Sequence, residues 1–325
     1  MNALLYGVIY GMVIIVALLS VTAMALWFER KLAARMQSRL GPMFVGPRGL
    51  LQPVADVVKL LQKEDIVPED ADRALFQLAP VLTALFAIGT AAVVPFAPKV
   101  VGSNLDIGVL FALAIGGVSV VPIFMAGWSS NNKFALLGAM RAIAQSVSYE
   151  VPLVLAALVP VILAGSLNVT EIVNWQMKNH WIGVWPIVPG LPAMVLFFMA
   201  MLAEANRIPF DIPEAESELV AGVTTEYTGF KFALFYMGEY IHTLVSSALA
   251  AALFLGGWDG PFLPGLHWMV LKTFALFTVI YWIRYTLLRF RSDQLMNLCW
   301  RWLVPVAVGL VFLAAVWVQL VPEAH

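Results

Sequence analysis

Four glutamates lie at the ends of, or inside, long apolar stretches of this sequence. Glu29 closes the first stretch, Glu150 opens the fourth, Glu204 closes the fifth, and Glu239 lies inside the sixth. Carboxylates near membrane depth are expensive and usually face a water-filled path or a functional site. A low dielectric favours the protonated form of a carboxyl group, and neighbouring carboxyls influence each other's titration. The pattern therefore indicates a proton or charge relay.

The alternative for each glutamate is an interfacial position or a structural ion pair with a nearby arginine. Glu29 stands beside Arg30 and Lys31, so a local pair is open for it. Glu239 has no basic residue within one helical turn of it in the sequence, which favours a functional role.

Metal-ligating residues are too few for a metal or haem site. Glu239 and His242 form a Glu-x-x-His pair, but a di-metal helical bundle needs a second such pair and two more glutamates. Cys299 is the only cysteine, which excludes an internal disulfide, a cysteine zinc site and a cysteine-ligated iron–sulfur cluster. We therefore expect no metal, haem or flavin in this chain.

The densest group of acids lies between residues 204 and 231. A short helix is predicted from Pro213, with acids in its first turn, where the helix dipole favours them. A flexible solvated loop is one interpretation, but Pro209, Phe210 and Leu219 favour an ordered loop that lines a cavity or is covered by a partner. The acids of this segment are Glu204, Asp211, Glu214, Glu216, Glu218 and Glu226.

A polar stripe runs along residues 128–150 into an apolar stretch. Arg141, Gln145, Ser148 and Tyr149 share one face of a predicted helix. Such a stripe faces protein or water, and packing between helices is the alternative to a functional role.

These residues must be positioned by membrane helices. Hydrophobic residues make up 61% of the 325 residues and charged ones 12%, and the net charge of −1 suggests no nucleic-acid partner. We predict an all-α, polytopic membrane protein forming one domain of about eight transmembrane helices. The predicted spans are 4–28, 75–97, 105–127, 146–165, 186–205, 232–256, 267–288 and 302–321, and the loops 29–74, 128–145, 206–231 and 289–301 lie on one side.

The distribution of basic residues predicts the orientation. Among the 19 lysines and arginines, all except Lys99, Lys178 and Lys272 lie in or beside these four loops. Such loops are cytoplasmic in membrane proteins. We therefore expect both termini on the outer, periplasmic side.

An amphipathic helix is predicted at residues 53–63, within the first cytoplasmic loop. Val54, Val57, Val58 and Leu61 share one face, and Pro53 suits the first helical turn. This helix would lie at the membrane interface or dock against a soluble partner.

Four long motifs resemble the H subunit of NADH:quinone oxidoreductase. This subunit is the bacterial counterpart of mitochondrial subunit one of respiratory complex I. They are GLLQPVADVVKL (49–60), AGWSSNNKFALLGAMRAIAQSVSYEV (126–151), EANRIPFDIPEAESELVAG (204–222) and RFRSDQLM (289–296). The resemblance spans nearly the whole chain. Related hydrogenase membrane proteins share the framework, but the 209–222 motif favours the quinone enzyme.

The resemblance implies a subunit of a proton-translocating enzyme in the bacterial cytoplasmic (inner) membrane, with quinone as bound substrate. Soluble partner subunits would supply the iron–sulfur clusters, FMN and headgroup ligands, and the membrane partners would be small and antiporter-like subunits. The implied quinone-chamber residues are Glu29, Arg30, Arg39, Asp56, Arg207, Phe210, Asp211, Glu214, Glu216 and Arg284. The implied relay comprises Glu150, Glu204, Glu218, Glu226 and Glu239, with Arg141 as charge partner.

Several alternatives stay open at this point. An equivalent subunit of an F420H2- or ferredoxin-fed quinone or methanophenazine reductase would share these motifs. A stand-alone secondary transporter or a structural scaffold is also compatible with buried acids, although a transporter usually shows an internal repeat. Met43, Phe44 and Leu288 depart from the family pattern and affect only loop details.

Overall fold

The computed structural model describes residues 2–98, 100–179, 181–182, 189–213 and 219–320, with side chains from residue 9 onward. This part of the chain forms twelve α-helices, and a π-helical turn at Cys299–Leu303 joins the last two. The helices are α1 (Asn2–Met36), α2 (Gln52–Gln62), α3 (Arg73–Ala91), α4 (Gly108–Val118), α5 (Val120–Ser129), α6 (Lys133–Ala164), α7 (Val169–Asn179), α8 (Gly190–Glu204), α9 (Gly229–Phe254), α10 (Leu266–Thr286), α11 (Ser292–Leu298) and α12 (Val304–Leu320).

Six helical segments of the described chain are long and apolar enough to cross a bilayer, which confirms an all-α polytopic membrane protein. Two further crossings, through α8 and α9, stay predictions. α8 has only 15 residues, and the 26 residues of α9 include the polar side chains of Glu239 and His242. The six segments are Ile9–Met36, Arg73–Ala91, Gly108–Ser129, Lys133–Ala164, Leu266–Thr286 and Ser292–Leu320.

Several helices extend beyond the spans predicted from apolar windows. The segment 128–145, predicted as a loop, lies mostly within α6, and the last helical segment begins at residue 292, ten residues before its predicted span. α7 lies in a segment for which no helix was predicted. An apolar window marks only the part at bilayer depth, whereas a helix continues as long as packing and backbone hydrogen bonds support it. Residues 186–188 of the predicted fifth span lie outside the described residues.

Hydrogen bonds join the connecting segments into two groups at opposite ends of the bundle. At one end, Asp72 N donates to Ser129 O, Ile66 N to Thr228 Oγ1, and Phe290 N to Pro209 O. At the other end, Ser103 N donates to Ala92 O, and Val109 N to Leu167 O. We call the first end the basic side, because its segments carry most of the lysines and arginines.

α9 forms the centre of the bundle. Every residue from Thr243 to Phe254 is buried, as expected for a helix packed on all faces. Towards the basic side, Gly238 lies against Thr83 of α3, where a Cβ atom would approach the threonine methyl group to 2.9 Å. This close contact fixes the position of the neighbouring Glu239 along the bundle relative to α3.

The predicted amphipathic helix is present as α2. Its apolar residues Val54, Val57, Val58 and Leu61 are about half-exposed in the isolated chain, while Asp56 faces α1. The membrane interface and a soluble partner both stay predictions for this face.

Lys272 closes the opposite end of α9. Lys272 belongs to α10, and its side chain is buried. Its Nζ donates to the backbone carbonyls of Leu255 (2.5 Å), Gly257 (3.0 Å) and Asp259 (2.5 Å). The ammonium also lies 3.8 Å from the centroid of the Trp181 ring. It therefore supplies donors to carbonyls that have lost their helical partners.

Replacing Lys272 with methionine should destabilise the protein, because three buried carbonyls lose their donor. We expect the free energy of unfolding to fall by about 2 kcal/mol or more. The measurement is the temperature at which half of the detergent-solubilised protein aggregates. Lys178→Met is the matched control, because Lys178 is exposed at the same end of the bundle. Equal temperatures for the two variants would contradict the capping role.

Candidate functional site

Glu29 connects three helices through its carboxylate. The side chain is 4% exposed at the basic end of α1. From α10, Arg284 Nη1 donates to Glu29 Oε1 at 2.9 Å and the Tyr285 hydroxyl donates at 3.1 Å. From α9, the Tyr240 hydroxyl donates to Oε2. Three donors, one of them charged, stabilise the ionised carboxylate. The local pair that the sequence left open does not form, because Arg30 binds Asp56 and Lys31 Nζ donates to Met43 Sδ.

Arg207 is buried in the segment that follows α8, with 3% of its surface exposed. Its Nη1 contacts Glu239 Oε1 at 3.0 Å, and its guanidinium lies 4.8 Å and 5.4 Å from the ring centroids of Tyr240 and Tyr281. Burial alone would lower the pKa of Arg207, but Glu239 and the two phenols raise it well above the usual value. The cation that pairs with Glu239 therefore comes from a distant loop and not from a residue within one helical turn of it.

These contacts form one connected set. Glu29 binds Tyr240, the ring of Tyr240 packs on Arg207, and Arg207 binds Glu239. We call Glu29, Arg284, Tyr240, Arg207 and Glu239 the charge cluster. Its two acids and two arginines balance each other's charge in a largely buried setting, which such groups require.

A second ion pair lies beside the charge cluster. Arg30 Nη1 contacts Asp56 Oδ2 at 2.5 Å, and Gln52 Nε2 donates to the other oxygen of Asp56 at 3.2 Å. The pair attaches α2 to the end of α1 and is partly exposed. Arg39 belongs to neither group, since it is exposed and bonds Gln37.

The segment 205–213 is pinned by its neighbours. Gln145 Nε2 donates to Phe210 O at 2.7 Å, and the Phe210 ring lies 5.7 Å from the Phe290 ring, which stacks on it. Asp211 Oδ2 contacts Arg289 Nη2 at 3.2 Å. This part of the acidic stretch is thus ordered against α6 and the segment before α11, as the proline and phenylalanine pattern predicted.

A cavity of about 100 Å³ lies between α3, α5, α8 and α9. Glu204, Asn206, Glu239 and His242 line it, and Thr83, Ser119 and Thr224 add hydroxyl groups. A polar cavity of this size has room for several water molecules. Glu239 therefore contacts Arg207 on one side and a space with room for water on the other.

A smaller cavity of about 10 Å³ lies deeper in the bundle. It shares Glu204 and His242 with the first cavity, and Thr90 and Ser246 contribute polar atoms. His242 Nε2 lies 3.8 Å from Glu204 Oε1, and both side chains are about one-tenth exposed. These two residues separate the two cavities.

Two glycines of α4 make room for the remaining carboxylates. A Cβ atom on Gly116 would lie 2.5 Å from Glu204 Oε1, and one on Gly117 would lie 2.2 Å from Glu150 Oε1. Both distances are far below van der Waals contact, so the two carboxylates occupy the space that side chains at these positions would fill. Glu204 and Glu150 consequently approach the same short stretch of α4.

The structure does not bring every predicted residue into this arrangement. Glu226 accepts a hydrogen bond from Asn132 (2.6 Å) at an open surface pocket on the basic side, and no contact of it with the other relay acids is seen in the described chain. Arg141 is half-buried on α6, one turn before Gln145. Glu214, Glu216 and Glu218, with most of the short helix predicted from Pro213, lie outside the described residues.

Several site residues escaped the sequence analysis. Tyr240, Tyr281 and Tyr285 carry no signal by residue type alone, because tyrosines are common near membrane interfaces. The spacing of four between Tyr281 and Tyr285, with Arg284 beside them, places all three towards one face of α10 and is the signal that could have indicated them. Arg289 lies within a motif that was recognised, but its contact with Asp211 joins residues 78 positions apart.

Potential ligands for a metal are dispersed among the described residues, where no group of three histidine, cysteine or acidic side chains is placed to hold an ion. The charge cluster instead combines two carboxylates, two guanidinium groups and one phenol.

Comparison with known proteins gives the family. A family model described as NADH dehydrogenase matches residues 9–315. The NADH-quinone oxidoreductase H subunit of Burkholderia vietnamiensis is 48% identical over 318 residues, covering 94% of this chain and 89% of that protein. This chain belongs to the same family. The H subunit of Burkholderia ambifaria matches with the same identity and coverage. The resemblance carried by the four motifs is thereby confirmed for the family.

Within this member of the NADH-quinone oxidoreductase family, we expect the Arg207–Glu239 pair to be sensitive to substitution, because Arg207 is buried. Arg207→Met would leave a largely buried carboxylate without its cation, and we expect a loss of about 3 kcal/mol in stability. Adding Glu239→Gln should restore part of the loss, because the amide carries no charge. The measurement is a double-mutant cycle on the aggregation temperature in detergent.

Arg291→Met is the control for this cycle. Arg291 pairs with Asp293 at 3.3 Å, but both side chains are more than half-exposed, so its loss should change stability by about 1 kcal/mol or less. A double variant no more stable than Arg207→Met alone would show that the pair is not the source of the effect.

Proposed function

We propose that this chain is the membrane subunit of a proton-translocating NADH:quinone oxidoreductase that forms the entrance of the quinone chamber and couples quinone reduction to proton pumping. The observation that carries the proposal is the continuous set of contacts from Glu29 through Tyr240 and Arg207 to Glu239. Glu239 borders the cavity that reaches Glu204. A charge change at one end of this set therefore acts on proton-binding groups at the other.

The chamber wall in this proposal comes from α1, α9 and α10. Glu29, Arg284 and Tyr285 offer a carboxylate, a guanidinium and a phenol, which can orient the carbonyl oxygens of a quinone headgroup. Arg30 and Asp56 form the rim towards α2. Apolar and aromatic surface with a few placed polar groups is the usual composition of such sites.

Electrons would enter from partners, because the sequence predicts no metal, haem or flavin in this chain. Soluble subunits on the basic side would carry the iron–sulfur clusters and FMN and close the chamber. Small membrane subunits and antiporter-like subunits would continue the path in the bilayer. In this proposal the basic side is cytoplasmic, the membrane is the bacterial inner membrane, and both termini are periplasmic.

Coupling follows from charge balance. Reduction of quinone takes up electrons and protons, which changes the charge beside Glu29 and Arg284. Arg207 contacts the rings of Tyr240 and Tyr281 as well as Glu239. The change in charge therefore alters how strongly Glu239 holds a proton. Reduction drives pumping only if oxidised and reduced quinone favour different proton occupancies of the relay. Glu204 and Glu150 then carry the proton along the membrane.

Neutralising the relay tests the coupling. Glu239→Gln and Glu204→Gln in the assembled enzyme should lower NADH-driven proton pumping by at least about ten-fold, because a glutamine side chain does not carry a proton between water-linked sites. Acidification of inverted membrane vesicles and quinone reduction are measured on the same preparation.

Glu171→Gln is the control for these variants, because Glu171 is exposed at the opposite end of the bundle and bonds only Ser166 among the described contacts. It should pump normally. If Glu239→Gln and Glu204→Gln assemble and pump as well as this control, neither residue belongs to the relay.

The chamber is tested by Glu29→Gln. Loss of the carboxylate leaves Arg284 without its counter-charge, so the headgroup surface loses its order, and we expect the KM for quinone to rise about ten-fold. Electron input measured with a water-soluble acceptor should not change. Glu64→Gln, an exposed residue on the same side, is the control. An unchanged KM would remove Glu29 from the quinone path.

A further inference from the structure

His242 lies at the junction of the two cavities. The proposed relay of carboxylates assigns it no role. It follows Glu239 by three residues on α9, and Ser246 follows it by four, so the three side chains share one face. Glu239 lines the larger cavity, Ser246 lines the smaller one, and His242 lines both. Any proton that passes between the two spaces along α9 meets the imidazole ring.

We propose that His242 is a proton carrier that links the cavity beside Glu239 to Glu204. This inference rests on the proposed coupling function and adds to it a side chain that is neither a carboxylate nor a quinone ligand. Imidazole suits the task because it can bind a proton on one ring nitrogen and release another from the second nitrogen.

The transfer step is simple. A hydrated excess proton in the larger cavity, or the protonated carboxyl of Glu239, donates a proton to His242. The ring becomes imidazolium, and the donor is left as neutral water or as the Glu239 carboxylate. The proton on Nε2 then passes to Glu204 Oε1, which leaves a neutral ring and a neutral carboxyl group. One proton moves, and no electron is exchanged.

The distance between the two groups supports a gated transfer. Nε2 and Oε1 are 3.8 Å apart, which is longer than the roughly 3.0 Å of an N–H···O hydrogen bond. A small rotation of either side chain, or a bridging water, closes the gap. On its α4 side, the Glu204 carboxylate packs directly against Gly116.

The surroundings of the ring determine which charges act on it. Glu204 faces it from α8, and Glu239 shares its helix and is paired with Arg207. Glu150 of α6 packs against Gly117, the glycine that follows Gly116 in α4. The residues of α3 and of the α4–α5 segment that line the cavities carry no charge, and they include Thr83, Thr90 and Ser119. Acids therefore outnumber cations around His242.

The test compares His242→Gln with His267→Gln in inverted vesicles that contain the assembled enzyme. Glutamine keeps a polar side chain of similar reach but cannot carry the proton. His267 is the matched control, because it lies near the first residue of α10 at the opposite end of the bundle, packed on Trp268. NADH-driven pumping, quinone reduction and the ratio of turnover in H2O to turnover in D2O are measured.

We expect His242→Gln to lower pumping at least about ten-fold and to raise the H2O/D2O ratio, while His267→Gln leaves both unchanged. A lower rate with an unchanged isotope ratio would mean a structural role and would overturn the proposal. If His242→Gln fails to assemble, His242→Asn, which has a smaller amide side chain, replaces it under the same criteria.

Glu204→Gln and Glu239→Gln in the same vesicles separate this inference from the proposed function. Loss of pumping in both, with normal pumping in His242→Gln, would reject the histidine and leave the carboxylate relay in place. Normal pumping in all three variants would reject the relay itself.

Discussion

The arrangement depends on one constraint, that an ionised group inside an apolar bundle must be neutralised where it lies. Arg207 meets this constraint for the whole site. It is almost fully buried, it pairs with Glu239, and it packs on Tyr240 and Tyr281. Because its charge is shared in this way, the guanidinium fixes the segment after α8 against α9 and α10. Breaking such a buried pair removes far more stability than an exposed ion pair contributes.

The same balance of charge separates two environments along α9. Towards α1 and α10, Glu29 is held by three donors in a compact aromatic setting. Towards α3 and α8, Glu239 and Glu204 border a cavity with room for water. A rigid charged wall suits recognition of a polar headgroup, whereas acids beside water suit proton exchange. Arg207 contacts both environments, through the ring of Tyr240 on one side and the carboxylate of Glu239 on the other.

Much of this could be predicted from residue types, and the rest could not because it depends on long-range pairing. The apolar pattern indicated a helical membrane protein, which the structure confirms, and the acids at span ends predicted a relay. The choice of partners was not predictable. Glu29 binds Arg284, 255 residues away, instead of the adjacent Arg30, and Glu239 binds Arg207 rather than a residue on its own helix. Helix ends also lie beyond the apolar windows, since α6 runs out of the apolar region as far as Lys133. Gly116 and Gly117 gave no signal as neighbours of carboxylates, because glycine is common in membrane helices for other reasons.

The central claim is that water joins the acids of the basic half of the bundle. A cryo-electron microscopy map of the assembled enzyme, at a resolution that places ordered solvent, tests it most directly. The account predicts density for water molecules in the cavity between α3, α5, α8 and α9, hydrogen-bonded to both Glu239 and Glu204. A cavity filled by apolar side chains or a lipid tail, with no solvent between these two carboxylates, would contradict it.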